Sequence, residues 1–288
     1  MKIYLVPFYI SEEKLAEQKI CPDATVEAEY GDKVIEGRKI TLAHHTEKYA
    51  NMPAPCCREE DILEEDNVIV ISHIDLDTVG GCLMLAGRKP DNKEFWEAAG
   101  FIDCHGIHHI QELPGTVQMQ LNAVYAWEKE HRLERSEKIQ DVTAFIAEYG
   151  HVIEDILKGN KDYIQRGSIW AAEEERKTEA CLIWENGELR IFEIPDQTFC
   201  SAAYYSPKYH KPARATLAYS KPKKSITVAF EDGGKIFSAK EIVQELWGEL
   251  AGGHPGIAGS PRNMEMTKED WLKAQEKMKS LFDRERGK

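Results

Sequence analysis

No run of apolar residues in this chain approaches the roughly 20 needed to cross a bilayer as a helix, so no membrane span is expected. Net positive charge is missing as well: 37 Lys and Arg stand against 50 Asp and Glu, a formal charge of −13. Proteins that grip long nucleic acid by its phosphates are basic over at least one face. The acidic balance therefore argues against a processive polymer-binding enzyme and leaves room for a small anionic ligand held by local cations or by a metal. Cysteine is sparse and unpatterned. Seven residues, Cys21, Cys56, Cys57, Cys82, Cys104, Cys181 and Cys200, make an odd number with no Cys-x-x-Cys spacing and no disulfide framework. That usage fits a reducing cytoplasm. The first residues, Met1-Lys-Ile-Tyr-Leu-Val-Pro7, carry no signal-peptide cleavage pattern, in keeping with a cytoplasmic protein. Internal repeats and low-complexity tracts are also lacking.

What is present is the composition of a globular protein, 42% hydrophobic and 30% charged, over 288 residues, enough for two cores. Strands are expected over 2–10, 39–43 and 68–71, with a helix over 11–18 capped by Ser11. Helical periodicity covers 93–99, 116–133, 136–157 and 162–178, the last leading into a charged, solvated stretch. Beyond it the pattern turns to strands. A hairpin is expected around Asn186-Gly187, strands over 199–205, 213–219 and 225–231, and helices over 239–250 and 267–284. The reading is an α/β chain of two domains, 1–178 and 179–288. The first is built on a parallel sheet and the second is a smaller mixed-sheet α+β domain.

The most informative stretch is Asn67-Val-Ile-Val-Ile-Ser-His73-Ile-Asp75-Leu-Asp77-Thr-Val-Gly80-Gly81. Val68 to Ile71 read as a short buried strand. His73, Asp75 and Asp77 follow at alternate positions, which share one face if the backbone stays extended. An imidazole and two carboxylates suit Mn, Fe or Zn. Gly80-Gly81 would then let the chain turn into a helix over 82–86 packed back on the strand. The competing reading makes Asp75 and Asp77 helix caps.

Three further groups bear on the site. His44-His45 follows the second strand and is either part of a site or a pair of exposed polar residues. Asp103, His105, His108 and His109 crowd seven positions of a chain with ten histidines. A strand end followed by the Gly106 turn would bring Asp103, His105 and His108 together in ligand and catalytic roles. Near the C-terminus, Gly252-Gly253-His254-Pro-Gly-Ile-Ala-Gly259-Ser-Pro-Arg262 joins exposed backbone donors to imidazole and guanidinium groups, a combination suited to phosphate.

With both stretches in view, the chain resembles the DHH phosphoesterase superfamily with its DHH-associated C-terminal domain. The first motif is matched by His73, Asp75 and Asp77, with Gly80 two places late. The C-terminal glycine–histidine motif is matched by Gly252, Gly253, His254, Ala258 and Gly259. The namesake Asp-His-His reads Ile107-His108-His109. Asp103 stands for the second-motif aspartate, and Asp141 is the weakest candidate for the fourth. The resemblance spans about 65–265.

That resemblance implies phosphoester hydrolysis with two Mn ions, Fe or Zn being alternatives, in a cleft between the domains. His73, Asp75, Asp77, Asp103 and His108 would hold the metals. His109 would contact the scissile phosphate or protonate the leaving group, with His105 as a second catalytic candidate. Gly252, Gly253, His254, Gly259 and Arg262 would grip the substrate, a small phosphorylated molecule or short oligonucleotide rather than long nucleic acid. A second copy of the chain is an allowed partner. Two other readings remain open on sequence: a catalytically degenerate nucleotide- or metal-binding sensor, and a metal-dependent hydrolase of a non-phosphate bond.

Overall fold

A computed structural model describes residues 1–6, 12–30, 33–46, 48–134, 136–195 and 201–285. The expected Ser11 cap, positions 7–10 of the first expected strand, and positions 199–200, with Cys200, lie outside the described residues. The chain divides into two compact units, Met1–His105 with Ile110–Ala171, and Gly106–His109 with Ala172–Lys288. The fold class is α/β, with a parallel-rich sheet in the first unit and a mixed sheet in the second. Among the described residues no helix is long and apolar enough to cross a membrane.

The first unit contains β1 (Lys2–Leu5), α1 (Glu12–Glu17), β2 (Ala24–Val26), the small hairpin β3 (Glu29–Tyr30) and β4 (Lys33–Val34), β5 (Ile40–Leu42) and β6 (Val68–Ile71). These are followed by α2 (Leu76–Leu85), α3 (Lys93–His105), α4 (Gly115–His131), β7 (Gln140–Asp141), α5 (Thr143–Leu157) and α6 (Lys161–Ala180), within which the division between units falls. Its main sheet runs β5-β2-β6-β1-β7, parallel except for β7. The central strand β6 is made of β-branched residues, and Ile69, Val70 and Ile71 are wholly buried, each contributing about 1.5–3 kcal/mol through burial. Val26 pairs with Leu42 on one side and Ile71 on the other. The carboxyl ends of β2, β5 and β6 are thus level, the place where open parallel sheets keep their ligands.

The structure corrects several local expectations. The helix after β6 starts at Leu76 rather than at residue 82, because Asp75 caps it: Thr78 N–H donates to Asp75 Oδ1 at 2.9 Å. Gly80 and Gly81 therefore lie inside α2 and turn nothing. Their role is close packing, since a Cβ on Gly80 would meet Cys56 Cβ at 2.5 Å and one on Gly81 would meet Val26 Cγ1 at 2.8 Å. Asp103 and His105 are helical, not at a strand end. Phe95, Trp96, Ala98, Ala99 and Ile102 face the core at helical spacing and carry α3 as far as His105. Gly106, at φ 98°, ends it. The expected helix over 136–157 begins only at Thr143, after the short edge strand β7.

The second unit contains β8 (Leu182–Glu185), β9 (Leu189–Ile194), the pair β10 (Tyr205–Ser206) and β11 (Lys211–Pro212), β12 (Ala215–Ser220), β13 (Ser225–Phe230), α7 (Ala239–Trp247), β14 (Gly252–Gly253), β15 (Ile257–Gly259) and α8 (Lys268–Glu285). Its main sheet is ordered β14-β15-β13-β12-β9-β8, with β9 and β12 parallel and the other pairs antiparallel. Ile191, Leu217 and Val228 meet Ile242 of α7 and Trp271, Met278 and Phe282 of α8 in one core. The expected hairpin at Asn186-Gly187 joins β8 to β9. The segment expected as a strand over 199–205 is instead a 3-10 turn, Ser201–Tyr204, leading into β10.

Candidate metal centre

Three parallel strands deliver acid and imidazole groups from their carboxyl ends. Glu27 follows β2, His44 and His45 follow β5, and Ser72, His73 and Asp75 follow β6. Asp77 enters from the first turn of α2, and Asp103 from the last turn of α3. His44 Nε2 lies 3.1 Å from Asp103 Oδ2, 3.5 Å from Glu27 Oε1 and 3.5 Å from Asp77 Oδ2. His45 Nε2 lies 3.3 Å from Glu27 Oε2 and 3.9 Å from Asp103 Oδ2. Glu27, His44 and Asp77 are almost completely buried, and His45 is the exposed member. Glu27 adopts φ 49°, in the left-handed region that non-glycine residues seldom occupy, and such strain is concentrated at functional positions.

The supporting bonds fix this geometry. Glu29 accepts the backbone N–H groups of His44, His45 and Thr46 at 3.2, 3.3 and 2.9 Å, clamping the loop that carries both imidazoles. Asp77 Oδ1 accepts the Cys56 N–H at 2.8 Å, which aims Oδ2 into the cluster. His44 Nδ1 faces Cys104 Sγ at 3.8 Å, leaving Nε2 to the carboxylates.

Whether these residues suit a cation can be judged from their own atoms. Glu27 Oε1 and Oε2, His44 Nε2, Asp77 Oδ2 and Asp103 Oδ2 are buried without a hydrogen-bond partner. Buried charge without compensation is expensive. Burial, together with the charges of Asp77, Glu29, Asp75 and Asp103, pushes Glu27 up to about 10. Burial also dominates at Asp77, raised to about 6 against the opposing Cys56 hydrogen bonds, with Asp103 adding repulsion. At His44 burial favours the neutral ring, but Asp103 and Asp77 outweigh it and raise the pKa. Converging oxygen and imidazole donors whose negative charges repel one another fit a divalent cation of the Mn, Fe or Zn class.

His73 and Asp75 form a separate pair. His73 Nε2 lies 3.0 Å from Asp75 Oδ2, and His73 Nδ1 lies 2.8 Å from Ser72 Oγ. The Ser72 hydroxyl donates its only proton to the Glu27 carbonyl. Ser72 Oγ and Asp75 Oδ2 thus flank the two ring nitrogens of His73. The pKa directions agree. His73 is raised, Asp75 overcoming burial, and Asp75 is lowered to about 2 because the His73 bond overcomes its own burial.

The sequence-expected set is thus divided. Asp77 and Asp103 meet, at His44 rather than at His73. Asp103 and His105, two apart on α3, leave the helix in different directions: His105 bonds the Phe101 carbonyl at 2.9 Å and stacks on that ring. His108 and His109 belong to the second unit, where Glu231 Oε1 lies 3.1 Å from His109 Nε2 and 3.8 Å from His108 Nε2, making a smaller group of donors. Asp141 has other partners. It pairs with Lys2 at 2.6 Å and takes the Thr143 N–H and hydroxyl at the start of α5.

Local sequence pattern does not mark Glu27, and it leaves His44-His45 between a site and a pair of exposed polar residues. A carboxylate directly after Ala24-Thr25-Val26 is the available signal for Glu27, but β2 is too short to stand out by periodicity.

In the second unit, β14 and β15 form a hairpin edge beside a cavity of ≈ 910 Å³. Gly252, Gly253, Gly259 and Arg262 line it together with Lys223 and Asn263. His254 does not line it. It sits at the exposed tip, where His254 and Ile257 exchange backbone hydrogen bonds and close the turn.

No family model matches the chain. No curated protein matches it either. Among solved structures, a pGpG-specific phosphodiesterase, PggH from Vibrio cholerae, aligns over 96% of this chain and 88% of its own, at 12% identity and a TM-score of 0.47. A crystal structure of an uncharacterized protein from Helicobacter pylori G27 aligns over 98% of this chain and 82% of its own, at 10% identity and a TM-score of 0.24. Both scores fall below the level at which two folds count as the same, so the functional reading rests on the side chains of this chain.

Proposed function

We propose that the chain is a metal-dependent phosphoesterase acting on a small phosphorylated substrate. The observation that carries this reading is the set of buried, unbonded donor atoms on Glu27, His44, Asp77 and Asp103 at the level carboxyl ends of three parallel strands. Glu27, His44, Asp77 and Asp103 would hold the cation, with His45 as the exposed fifth donor. When bound, a divalent cation supplies Lewis-acid polarisation of a phosphoryl oxygen and lowers the pKa of water.

The chain's own groups complete the chemistry. Asp77 is oriented by the Cys56 N–H, and the two imidazoles by Glu29. His73, held between Asp75 and Ser72, would give a proton to a leaving oxygen or balance phosphate charge. Within the second unit, the Gly252–Arg262 segment offers glycine backbone, Arg262 and Lys223 around one cavity, a lining suited to a phosphorylated ligand. Gly252, Gly253, Gly259 and Arg262 are accordingly assigned to binding.

The test is an assay of a linear dinucleotide, a cyclic dinucleotide, a nucleoside 3′-phosphate and a non-phosphate ester, with and without added Mn. Wild type is compared with an Asp77→Asn, Asp103→Asn double variant. Mn-dependent turnover of a phosphoester that disappears in the variant supports the reading. Equal turnover by both proteins, or turnover of the non-phosphate ester alone, overturns it, and nucleotide binding without any turnover establishes a sensor instead.

A further inference from the structure

Cys56 and Cys57 are adjacent in a tight 3-10 turn, and the proposed chemistry makes no use of either sulfur. Their Sγ atoms are 3.8 Å apart. Both face the Trp96 carbonyl, Cys56 at 3.5 Å and Cys57 at 3.2 Å. Cys57 is exposed and Cys56 buried, so one sulfur can meet a solute and the other can only meet its neighbour. The contact with Cys56, aided by the Lys89 ammonium, holds the Cys57 thiol below its ordinary value against the effect of burial. An accessible cysteine whose sulfur touches a second thiol is the arrangement of a peroxide-reactive pair.

The same turn supports the metal centre. The Cys56 N–H that orients Asp77 belongs to it, and its closing bond runs from Cys57 N–H to the Ala54 carbonyl at 2.8 Å. Glycines grip it closely: a Cβ on Gly80 would lie 2.5 Å from Cys56 Cβ, and one on Gly100 would lie 2.5 Å from Cys57 Sγ. A disulfide requires the sulfurs to close to about 2.05 Å, with Cα atoms usually about 4.4–6.8 Å apart. Adjacent Cα atoms across a trans peptide are only about 3.8 Å apart. Joining these two sulfurs therefore has to twist the turn.

We propose that Cys56 and Cys57 are a peroxide-sensitive thiol pair whose oxidation to a vicinal disulfide draws the Cys56 N–H away from Asp77. In the first step the Cys57 thiolate attacks hydrogen peroxide, its S–O bond forming as O–O breaks and hydroxide leaves. In the second, the Cys56 sulfur displaces hydroxide from the Cys57 sulfenic acid, forming S–S. The Cys56 proton and the departing hydroxide leave as water. Two thiols lose two electrons in all, and one peroxide becomes two waters. Loosening of a cation site follows only through the metal-centre reading, whereas the disulfide and the release of Asp77 do not depend on it.

The experiment treats the full chain with hydrogen peroxide and follows two signals that need neither metal nor turnover. The mass of the peptide carrying both cysteines should fall by two hydrogens and be restored by dithiothreitol. Amide exchange at Cys56 should accelerate by about tenfold or more in the oxidised form and return on reduction. Cys57→Ser should abolish both changes, and so should Cys56→Ser. A Cys21→Ser, Cys104→Ser variant should retain both. Gain of two or three oxygens on Cys57 without loss of hydrogens, or a disulfide that leaves Cys56 exchange unchanged, overturns the proposal.

Discussion

His44 Nε2 stands 3.1 Å from Asp103 Oδ2, tying the end of β5 to the last turn of α3. Neither atom has a hydrogen-bond partner. Ligation satisfies both, and it links the two elements only in the native fold. Added Mn should therefore stabilise the wild-type chain, by about 2.7 kcal/mol at a hundredfold excess over Kd. Asp103→Asn should lose most of that gain. Asp77→Asn should lose it too, yet be at least as stable as wild type in EDTA at pH 8. The reason is the Asp77 pKa, raised to about 6, so that the ionised carboxylate works against folding above that pH. Thermal melts of the three proteins with EDTA and with Mn check both statements.

Glu29 holds the imidazole loop and is not among the residues assigned to the cation. Its carboxylate gathers three successive N–H groups from His44 to Thr46. Glu29→Ala leaves those donors unpaired and lets the loop drift, which should weaken Mn binding by about tenfold or more. Far-UV circular dichroism should be unchanged, and titration calorimetry with Mn measures the loss. Equal Mn affinity in the variant would show that the strand end alone sets the geometry.

The parts of this site that could be read in the sequence are those announced by strong local pattern. Val68 to Ile71 stood out because four consecutive apolar, β-branched positions have few alternatives to a buried strand. Asp77 and Asp103 stood out as carboxylates near histidines. The reading failed where a neighbouring element decided the conformation. Asp75 caps α2, so the extended alternation expected for His73, Asp75 and Asp77 stops at Asp75. Gly80 and Gly81 suggest a turn in the sequence because glycine's small size serves turns and tight packing alike, and only the position of Cys56 and Pro55 distinguishes the two. Glu27 could not be placed, because its partner His44 arrives through parallel pairing of β2 and β5, a long-range relation that no local spacing encodes. In the second unit, the β8–β9 hairpin and the β12 and β13 strands followed their turn residues, and the Gly252–Arg262 segment showed its glycines but not which side chains face the cavity.

Glu128 should govern part of the pH dependence of stability. Burial, then the charge of Asp75, raises its pKa to about 7, although the Tyr149 hydroxyl donates to it at 3.2 Å. Its folded value lies above the unfolded one, so the native state holds the proton more tightly. The favourable contribution is complete below about pH 4.3 and is lost as pH rises toward 7. Glu128→Gln, which keeps an acceptor for Tyr149, should flatten this segment of the profile. At pH 8 it should be more stable than wild type, by about 3–4 kcal/mol at most. Urea melts in EDTA between pH 4.5 and 8 test the sign, and a wild-type profile that rises across this range would refute it.

Gly252 and Gly253 are neighbours with opposite requirements, which separates fold from binding at the cavity. Gly253 has φ 151°, and a Cβ there would lie 2.5 Å from the Ile257 carbonyl oxygen and 2.6 Å from Ala258 Cα, both backbone atoms. Neither can retreat without opening the β14–β15 pairing. Gly253→Ala should therefore cost about 1–3 kcal/mol, measured as a fall in denaturation midpoint. A Cβ on Gly252 would meet nothing within 4 Å. Packing makes no demand for glycine there, and Gly252→Ala should change stability by no more than about 0.5 kcal/mol. Any effect of that added methyl must fall on what enters the cavity. If the glycine backbone receives phosphate, Gly252→Ala should weaken binding of a dinucleotide, followed by phosphorus NMR, while leaving the melt unchanged. Arg262→Ala should weaken it further by removing the guanidinium. Unaltered binding in both variants would remove the cavity from the substrate path and leave the glycines with a purely structural task.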